Sequence, residues 1–155
     1  YAEEKSRAGA FSSLLGLEFA EGHNVKNNWH ALAVGDSCLF HVRGEVLLRA
    51  FPIERSEEFG NTPFLLSSNP RSNRRVWDEV RYIEGSCESE DTFFLATDAL
   101  AYWCLAQCEV GEIPWNKLLD IHTADEFEAF VVQLRNDGEM RNDDSTLLII
   151  QIHES

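Results

Sequence analysis

Two runs of strand-forming residues constrain the fold of this chain more than any other feature. Thr92–Thr97 is almost continuously apolar, and Ser145–His153 shows little alternation between apolar and polar residues. A strand that is apolar on both faces must be covered on both faces, whereas a strand at the surface of a sheet alternates. We therefore predict that both runs are buried strands of an α/β fold, the last of them central in its sheet.

The remaining elements are predicted from periodicity, turn residues and helix caps. Thr123 with Glu126 forms a capping box, which marks the start of a helix. The first three strands should form an antiparallel meander, and Pro52–Ser72, which lacks a clear period, should be a surface excursion. We predict helices at Ala2–Leu17, Ala99–Glu109, Pro114–Leu119 and from Thr123 to about Asn136, and further strands at Trp29–Val34, Cys38–Arg43, Val46–Phe51 and Val76–Ile83.

Size and charge limit the classes of function. The 155 residues, 44% of them hydrophobic, suffice for one buried core, so we expect a single domain over 1–155. The formal net charge is −14, which leaves no surplus of lysine and arginine to displace counterions from a phosphate backbone. We expect neither nucleic acid nor a membrane as a partner. The four cysteines form no CxxC pair, which favours reduced thiols and a cytoplasmic location.

Three aspartates lie next to predicted strands. Asp36 is in the turn after the strand that ends at Val34, Asp98 directly follows Thr97, and Asp143 precedes the last apolar run. Carboxylates at strand ends can converge on a hard cation such as Mg²⁺ or Mn²⁺. Each also has a structural explanation, as a turn residue, a helix N-cap or a polar lead into a strand. Spacing alone leaves both interpretations open.

Three arginines concentrate basic charge within the excursion and just after it. Arg71, Arg74 and Arg75 lie close together in an otherwise acidic chain. They could be solvated charges that neutralise an acidic surface, or they could contact a phosphate group of a substrate or phosphopeptide. We keep them as candidate substrate-binding residues.

The segments around the aspartates resemble the later motifs of the metal-dependent type 2C protein phosphatases. They occur in the order of that family and span positions 34–150. The three segments are Gly35-Asp36-Ser37 between two strands, the stretch from Asp91 through Asp98 to Leu100, and Asn142-Asp143-Asp144-Ser145-Thr146 ahead of the last strand.

This resemblance implies a four-layer α-β-β-α sandwich with two central antiparallel sheets and a binuclear Mn²⁺ or Mg²⁺ centre. Asp98 and Asp143 would bind one of the two core ions, and Asp36 would help Asp98 to hold a weaker third ion. The attacking group would be a metal-activated water, with no catalytic side chain. The implied substrate is a phosphoserine or phosphothreonine protein, and the implied setting is the bacterial cytoplasm.

The departures from the family pattern concern its early motifs. The Asp-Gly-x-Gly motif, which carries the metal-bridging aspartate, has no match before Gly35, and Ala99 and Cys38 stand where glycine and arginine are usual. The resemblance therefore implies a partial domain that corresponds to the C-terminal part, lacks the N-terminal strands and is inactive or nearly so alone. Sheet edges left open would be covered by the missing N-terminal segment or by self-association, such as a homodimer.

Two other hypotheses remain at this point. One is a non-catalytic binding or interaction module on the same scaffold, which would use the cleft or the three arginines to hold a partner. The other is an unrelated acidic α/β protein in which the aspartates are turn and cap residues.

Overall fold

The computed structural model describes residues 9–20, 28–60 and 62–153, and all elements named below lie in those ranges. The strands are β1 (Phe11–Ser12), β2 (Leu14–Phe19), β3 (Asn28–Val34), β4 (Cys38–Arg43), β5 (Val46–Phe51), β6 (Leu66–Ser67), β7 (Arg81–Ser86), β8 (Asp91–Ala96) and β9 (Leu147–Gln151). The α-helices are α1 (Val76–Glu79), α2 (Asp98–Glu109), α3 (Pro114–Leu119) and α4 (Ala124–Asn136), with short 3-10 helices at Ser56–Glu58 and Pro70–Asn73. No helix in these ranges is long and apolar enough to cross a membrane.

Two antiparallel sheets pack face to face. One has the strand order β2-β3-β7, the other has the order β5-β4-β8-β9, and β1 pairs with β6 separately. Trp29, Leu39 and Phe93 belong to the core between the two sheets. Helices α2, α3 and α4 cover the other face of the four-stranded sheet, where Trp115 packs on Phe40. The predicted α/β class with two central antiparallel sheets is confirmed.

The two middle strands of the four-stranded sheet explain the continuous apolar run. Phe40 and Phe94 face the helices, while Leu39 and Phe93 face the second sheet, and all four are fully buried. Because successive side chains of a strand point to opposite faces, both faces of β4 and β8 must be apolar. Burial of each such side chain stabilises the fold by about 1.5–3 kcal/mol. The strand predicted at Thr92–Thr97 is confirmed one residue earlier, as β8.

The helix predicted at Ala2–Leu17 is wrong where the structure describes it. Residues 1–8 lie outside the described ranges, and the following segment forms β1 and β2. Leu15, Leu17 and Phe19 of β2 alternate onto its inner face and pack into the core between the sheets. An apolar segment this short fits both the period of two of a strand and the period of 3.6 of a helix. It forms a strand here because its apolar side chains are buried between the two sheets.

The predicted meander of three strands is also wrong, because β3 and β4 belong to different sheets. Gly35 between them has a φ of 103°. A Cβ added there would lie 2.8 Å from Cβ of Ser13. Glycine therefore permits a sharp turn by which the chain leaves one sheet and enters the other. This turn puts Asp36 where the chain crosses between the sheets.

Three further predictions need correction. Val76–Ile83 is divided between α1 and β7, since pairing with β3 begins only at Arg81. The last strand is β9, which is shorter than predicted and is the last strand of its sheet among the described residues. The prediction of a central position was wrong there because a side-chain pattern does not reveal how many strands flank a strand. Thr97 is the N-cap residue of α2, without a side-chain capping bond, and Asp98 is the first residue of the helix.

The other helix predictions are confirmed. Helix α3 has the predicted bounds, and α4 ends at Asn136 as predicted. The Thr123 hydroxyl accepts a bond from the Glu126 amide, and the Glu126 carboxylate accepts one from the Thr123 amide at 3.0 Å. This capping box satisfies two backbone N–H groups that the first turn of a helix leaves without partners.

Candidate metal centre

The register of the four-stranded sheet aligns the ends of three strands. Cys38 at the start of β4 is the pairing partner of Ala96 at the end of β8. Ala96 is in turn the partner of Leu147 at the start of β9. Because the strands are antiparallel, the segments before β4, after β8 and before β9 leave the sheet at the same end.

The three candidate aspartates occupy these three segments. Asp36 lies two residues before β4, Asp98 lies two residues after β8, and Asp143 lies four residues before β9. Asp36 and Asp98 are partly buried, whereas Asp143 is exposed. The sheet thus places all three predicted metal ligands at one end of the sandwich.

Hydrogen bonds join the loop that carries Asp143 to the end of β8. The Thr97 hydroxyl donates to the carbonyl oxygen of Asp144 at 3.1 Å, and it accepts from the Thr146 amide at 3.0 Å. The Arg135 guanidinium donates to the carbonyl oxygen of Asp143. These bonds hold the segments after β8 and before β9 together, and so position Asp143 near the start of α2.

The charges of the aspartates act on one another. Burial raises the pKa of Asp36, and the negative charges of Asp98 and, to a smaller extent, Asp143 raise it further. The positive charge of Arg141 opposes this shift. Burial also raises the pKa of Cys38 to about 12, with contributions from Asp36 and Asp98. Mutual repulsion of this kind makes a bound cation favourable at the cluster.

The aspartates offer the oxygen atoms that a hard cation prefers as ligands, but they do not form a complete set of ligands. Carboxylate oxygens are the ligands that Mg²⁺ and Mn²⁺ prefer. Among the residues that the structure describes, however, no three His, Cys, Asp or Glu side chains form a group that could hold a metal ion. The cluster therefore has the donor chemistry of the expected centre without a closed set of ligands.

Arg141 is a candidate residue that the sequence analysis missed. Its guanidinium carbon lies 5.3 Å from the centroid of the Tyr102 ring, and both residues line a cavity of about 410 Å³. Its positive charge acts to lower the pKa of Asp36. The available signal was its position two residues before Asp143, directly before the segment from Asn142 to Thr146 that the sequence analysis singled out.

The three arginines chosen from the sequence lie in and after the 3-10 helix at 70–73. Arg71, Arg74 and Arg75 are exposed. Arg75 lies 4.0 Å from the Asp78 carboxylate and 3.9 Å from that of Glu79, so part of its charge is balanced locally. The phosphate-binding role of these arginines stays a prediction.

A fully buried carboxylate, that of Asp91, lies at the opposite end of β8. Arg43 Nε donates to it at 2.7 Å, His41 Nε2 lies 2.7 Å from it, and the Glu88 amide donates at 2.9 Å. Burial alone would raise its pKa, but these bonds hold the pKa down to about 2. Asp91 is therefore the anion of an internal ion pair, and we assign it a structural role.

Two solved structures are similar to this fold. One is the phosphatase domain of the cell fate determinant SpoIIE from Bacillus subtilis, presoaked with Mn, with a TM-score of 0.51 and 13% identity over 93% of this chain and 58% of that chain. The other is PppA, a key regulatory component of T6SS in Pseudomonas aeruginosa, with a TM-score of 0.50 and 18% identity over 81% of this chain and 52% of that chain. The chain has the fold of type 2C phosphatase domains and spans little more than half the length of these two structures.

Comparison by sequence gave no relationship. A scan against models of protein families and a search of curated proteins both found no match. At identities of 13% and 18%, the structural similarity establishes the fold, and activity has to be argued from the site.

Proposed function

We propose that this chain forms part of a metal-dependent protein phosphatase domain that acts on phosphoserine and phosphothreonine. In this proposal Asp98 and Asp143 bind one of two core Mn²⁺ or Mg²⁺ ions, and Asp36 helps Asp98 to hold a weaker third ion. Such ions, when bound, activate a water molecule for attack on phosphorus and neutralise charge on the phosphoryl group. The observation that carries the proposal is the common end of β4, β8 and β9 at which the three aspartates lie.

The surrounding residues support this role by positioning the ligands and the substrate. The bond between Thr97 and Asp144 holds the two ligand segments together. Arg141, stacked over Tyr102 near the carboxylates, is suited to donate charge-assisted hydrogen bonds to a phosphate group. Arg71, Arg74 and Arg75 would contact the phosphoprotein or its phosphate group.

We propose that the chain alone does not complete the site. Three carboxylates without a closed ligand group leave coordination positions that water or other protein groups must fill. The missing ligands would come from an N-terminal segment of a phosphatase domain, since the two similar structures are nearly twice as long as the matched part. The proposed setting is the bacterial cytoplasm.

Calorimetric titration with Mn²⁺ tests the metal centre. We expect weak binding to the wild-type chain and at least a tenfold loss of affinity in Asp98→Asn, because one of the three carboxylates at this end of the sheet is removed. Asp120→Asn is the matched control, since Asp120 is exposed at the C-cap of α3. Absence of binding to the wild type, or equal affinity in Asp98→Asn, would contradict the metal centre.

A non-catalytic binding module is the second candidate, and the incomplete ligand group favours it. Hydrolysis of p-nitrophenyl phosphate with added Mn²⁺ separates the two functions. A phosphatase fragment should show no turnover alone and should gain turnover when a complementary N-terminal segment is added. A binding module should gain none with any such segment, while phosphopeptide affinity persists.

A further inference from the structure

A cavity of about 410 Å³ opens on the helix side of the four-stranded sheet. Its walls come from the segment after β5, from α2 and from the loop after α4. The lining residues are Phe59, Tyr102, Gly138, Glu139, Met140 and Arg141. None of these six belongs to an edge strand of either sheet, so the walls are set by elements other than the sheet edges.

Two contacts fix the aromatic wall of this cavity. The Glu109 carboxylate, at the end of α2, accepts hydrogen bonds from the Ser56 amide at 2.8 Å and from the Ser56 hydroxyl at 2.5 Å. These bonds tie the 3-10 helix that begins at Ser56 to α2. Phe59, just after that helix, meets the Tyr102 ring edge to face, with the ring centroids 5.9 Å apart. A guest side chain therefore enters a cavity whose aromatic wall is already formed.

The cavity and the proposed metal centre share one face of α2. Asp98 and Tyr102 are four residues apart in this helix. Their positions are therefore on the same face and separated by about 6 Å along the helix axis. Arg141 links the two places, because its guanidinium stacks on Tyr102 while its charge acts on Asp36. A phosphoresidue held at the aspartates would have the cavity one helical turn away.

The spacing between Asp98 and Tyr102 matches that of an extended peptide. Residues of an extended chain advance by about 3.3 Å each, and side chains two positions apart point to the same side. Such side chains are thus about 6.6 Å apart, which is close to the advance of one turn of α2. A peptide that runs along α2 with its phosphoresidue at Asp98 therefore puts a second side chain into the cavity.

Charges around the cavity disfavour a charged guest. A cationic side chain would meet Arg141 in the lining. An anionic side chain would meet Glu139 in the lining and Asp98 one helical turn away. Like charges at such distances repel one another. A neutral guest is therefore favoured.

Among neutral guests, the lining favours an aromatic ring. Phe59 and Tyr102 already meet edge to face, which is an arrangement that aromatic side chains prefer. A guanidinium favours the face of an aromatic ring, as that of Arg141 does with Tyr102. Met140 adds a thioether, whose sulfur makes favourable contacts with ring edges. An aliphatic guest would gain none of these three contacts.

We propose that this cavity binds an aromatic side chain two positions away from the phosphoserine or phosphothreonine of the substrate. The inference rests on the proposed phosphatase function and adds a sequence preference to it. The phosphate lies at the aspartates and Arg141, and the aromatic ring lies against Tyr102 and Phe59. Tyr102 determines the preference, since it connects the cavity to the face of α2 that carries Asp98.

Isothermal titration calorimetry of this chain with four peptides, in the presence of Mn²⁺, tests the aromatic site. One phosphoserine peptide carries phenylalanine two positions before and two positions after the phosphoserine, because the spacing is met in either direction of the peptide. A second has alanine at both positions, and the other two are the unphosphorylated forms of the first two. We expect the phenylalanine phosphopeptide to bind at least tenfold more tightly than its alanine counterpart, because burial of the ring and its aromatic contacts both favour binding.

A substitution in the cavity wall should remove this preference. Tyr102→Ala should reduce the ratio of the two affinities to about threefold or less, because the wall against which the ring packs is lost. Tyr82→Ala is the matched control, since Tyr82 is 59% exposed on β7 of the other sheet, and it should keep the ratio of the wild type. The ratio in the wild type needs no substitution, so it tests the site even where Tyr102→Ala unfolds the chain.

The four peptides separate the aromatic site from the phosphatase function. Equal affinities for the phenylalanine and alanine phosphopeptides in the wild type would overturn the aromatic site, and so would a ratio that Tyr102→Ala leaves unchanged. A preference for phosphate without one for phenylalanine overturns the aromatic site alone. A preference for phenylalanine that phosphate does not increase contradicts the phosphatase function and leaves an aromatic peptide site. Absence of binding by all four peptides would overturn both.

Discussion

The Thr97 hydroxyl donates a hydrogen bond to the carbonyl oxygen of Asp144 at 3.1 Å. This bond links residues that are 47 positions apart in the chain. It joins the segment that carries Asp98 to the loop that carries Asp143, and it completes a pair of bonds with the amide of Thr146. The placement of Asp98 relative to Asp143 therefore depends in part on one neutral side chain.

Replacement of Thr97 by valine tests this dependence. The valine has nearly the same shape but leaves the Thr146 amide and the Asp144 carbonyl without their partner. We expect a loss of about 1–3 kcal/mol in the free energy of unfolding, measured with urea, since two hydrogen bonds are removed. Mn²⁺ affinity should fall as well, because the two ligand segments lose their side-chain bonds and keep only the backbone bond between positions 97 and 146 and the bond from Arg135.

Thr97→Ser is the control for this experiment because it keeps the hydroxyl group. We expect it to retain most of the stability and all of the Mn²⁺ affinity. If valine and serine have the same affinity for Mn²⁺, the bond does not position the cluster.

The ion pair of Asp91 should make stability depend on acid pH. The pKa of Asp91 is about 2 in the folded chain, against an ordinary value of 3.8. A lowered folded-state pKa stabilises the fold fully above 3.8 and progressively less as the pH falls toward 2. The shift corresponds to about 2 kcal/mol. Urea unfolding of the wild type and Asp91→Asn at a series of pH values should give curves that converge over this window. Curves that stay parallel would show that Asp91 is not the titrating group.

The fold was predictable where apolar pattern and burial agree. Both faces of the middle strand β8 are covered, so its continuous apolar run was interpreted correctly as a buried strand. The run in β9 is also apolar on both faces. Which strands pair with it depends on distant segments of the chain, and the pattern of a single strand does not show this.

The missed features are those that depend on contacts between distant positions. Leu14–Phe19 is too short to favour one period, and it became a strand because β3 and the core between the sheets were available. Arg141 lies in a loop, where no periodicity marks a residue. Its stacking on Tyr102 and its effect on Asp36 follow from tertiary structure alone.

Gly85 should be intolerant of any side chain. An added Cβ would lie 2.7 Å from a ring carbon of Trp29, which is almost completely buried between the sheets. Gly85→Ala therefore forces the indole out of its position, and we expect a loss of about 1–3 kcal/mol in the free energy of unfolding. Gly60→Ala is the matched control, since an added Cβ there meets nothing within 4 Å. Equal effects of the two substitutions would contradict the close packing of Trp29 on Gly85.

Replacement of Asp36 should separate stability from metal binding. Burial and the charge of Asp98 raise the pKa of Asp36, so its ionised form destabilises the folded chain at neutral pH. Asp36→Asn removes that charge, and we expect the melting temperature without metal to rise by a few degrees at pH 7. The gain in melting temperature should vanish below about pH 3.8, where the wild-type carboxyl is protonated in both the folded and the unfolded chain.

With saturating Mn²⁺ the wild type should instead have the higher melting temperature, because it binds the cation more tightly and binding stabilises the folded state. Asp120→Asn should follow the wild type in both series. An Asp36→Asn chain that is less stable than the wild type at pH 7 without metal would show that Asp36 acts as a turn residue and not as a member of a repelling cluster.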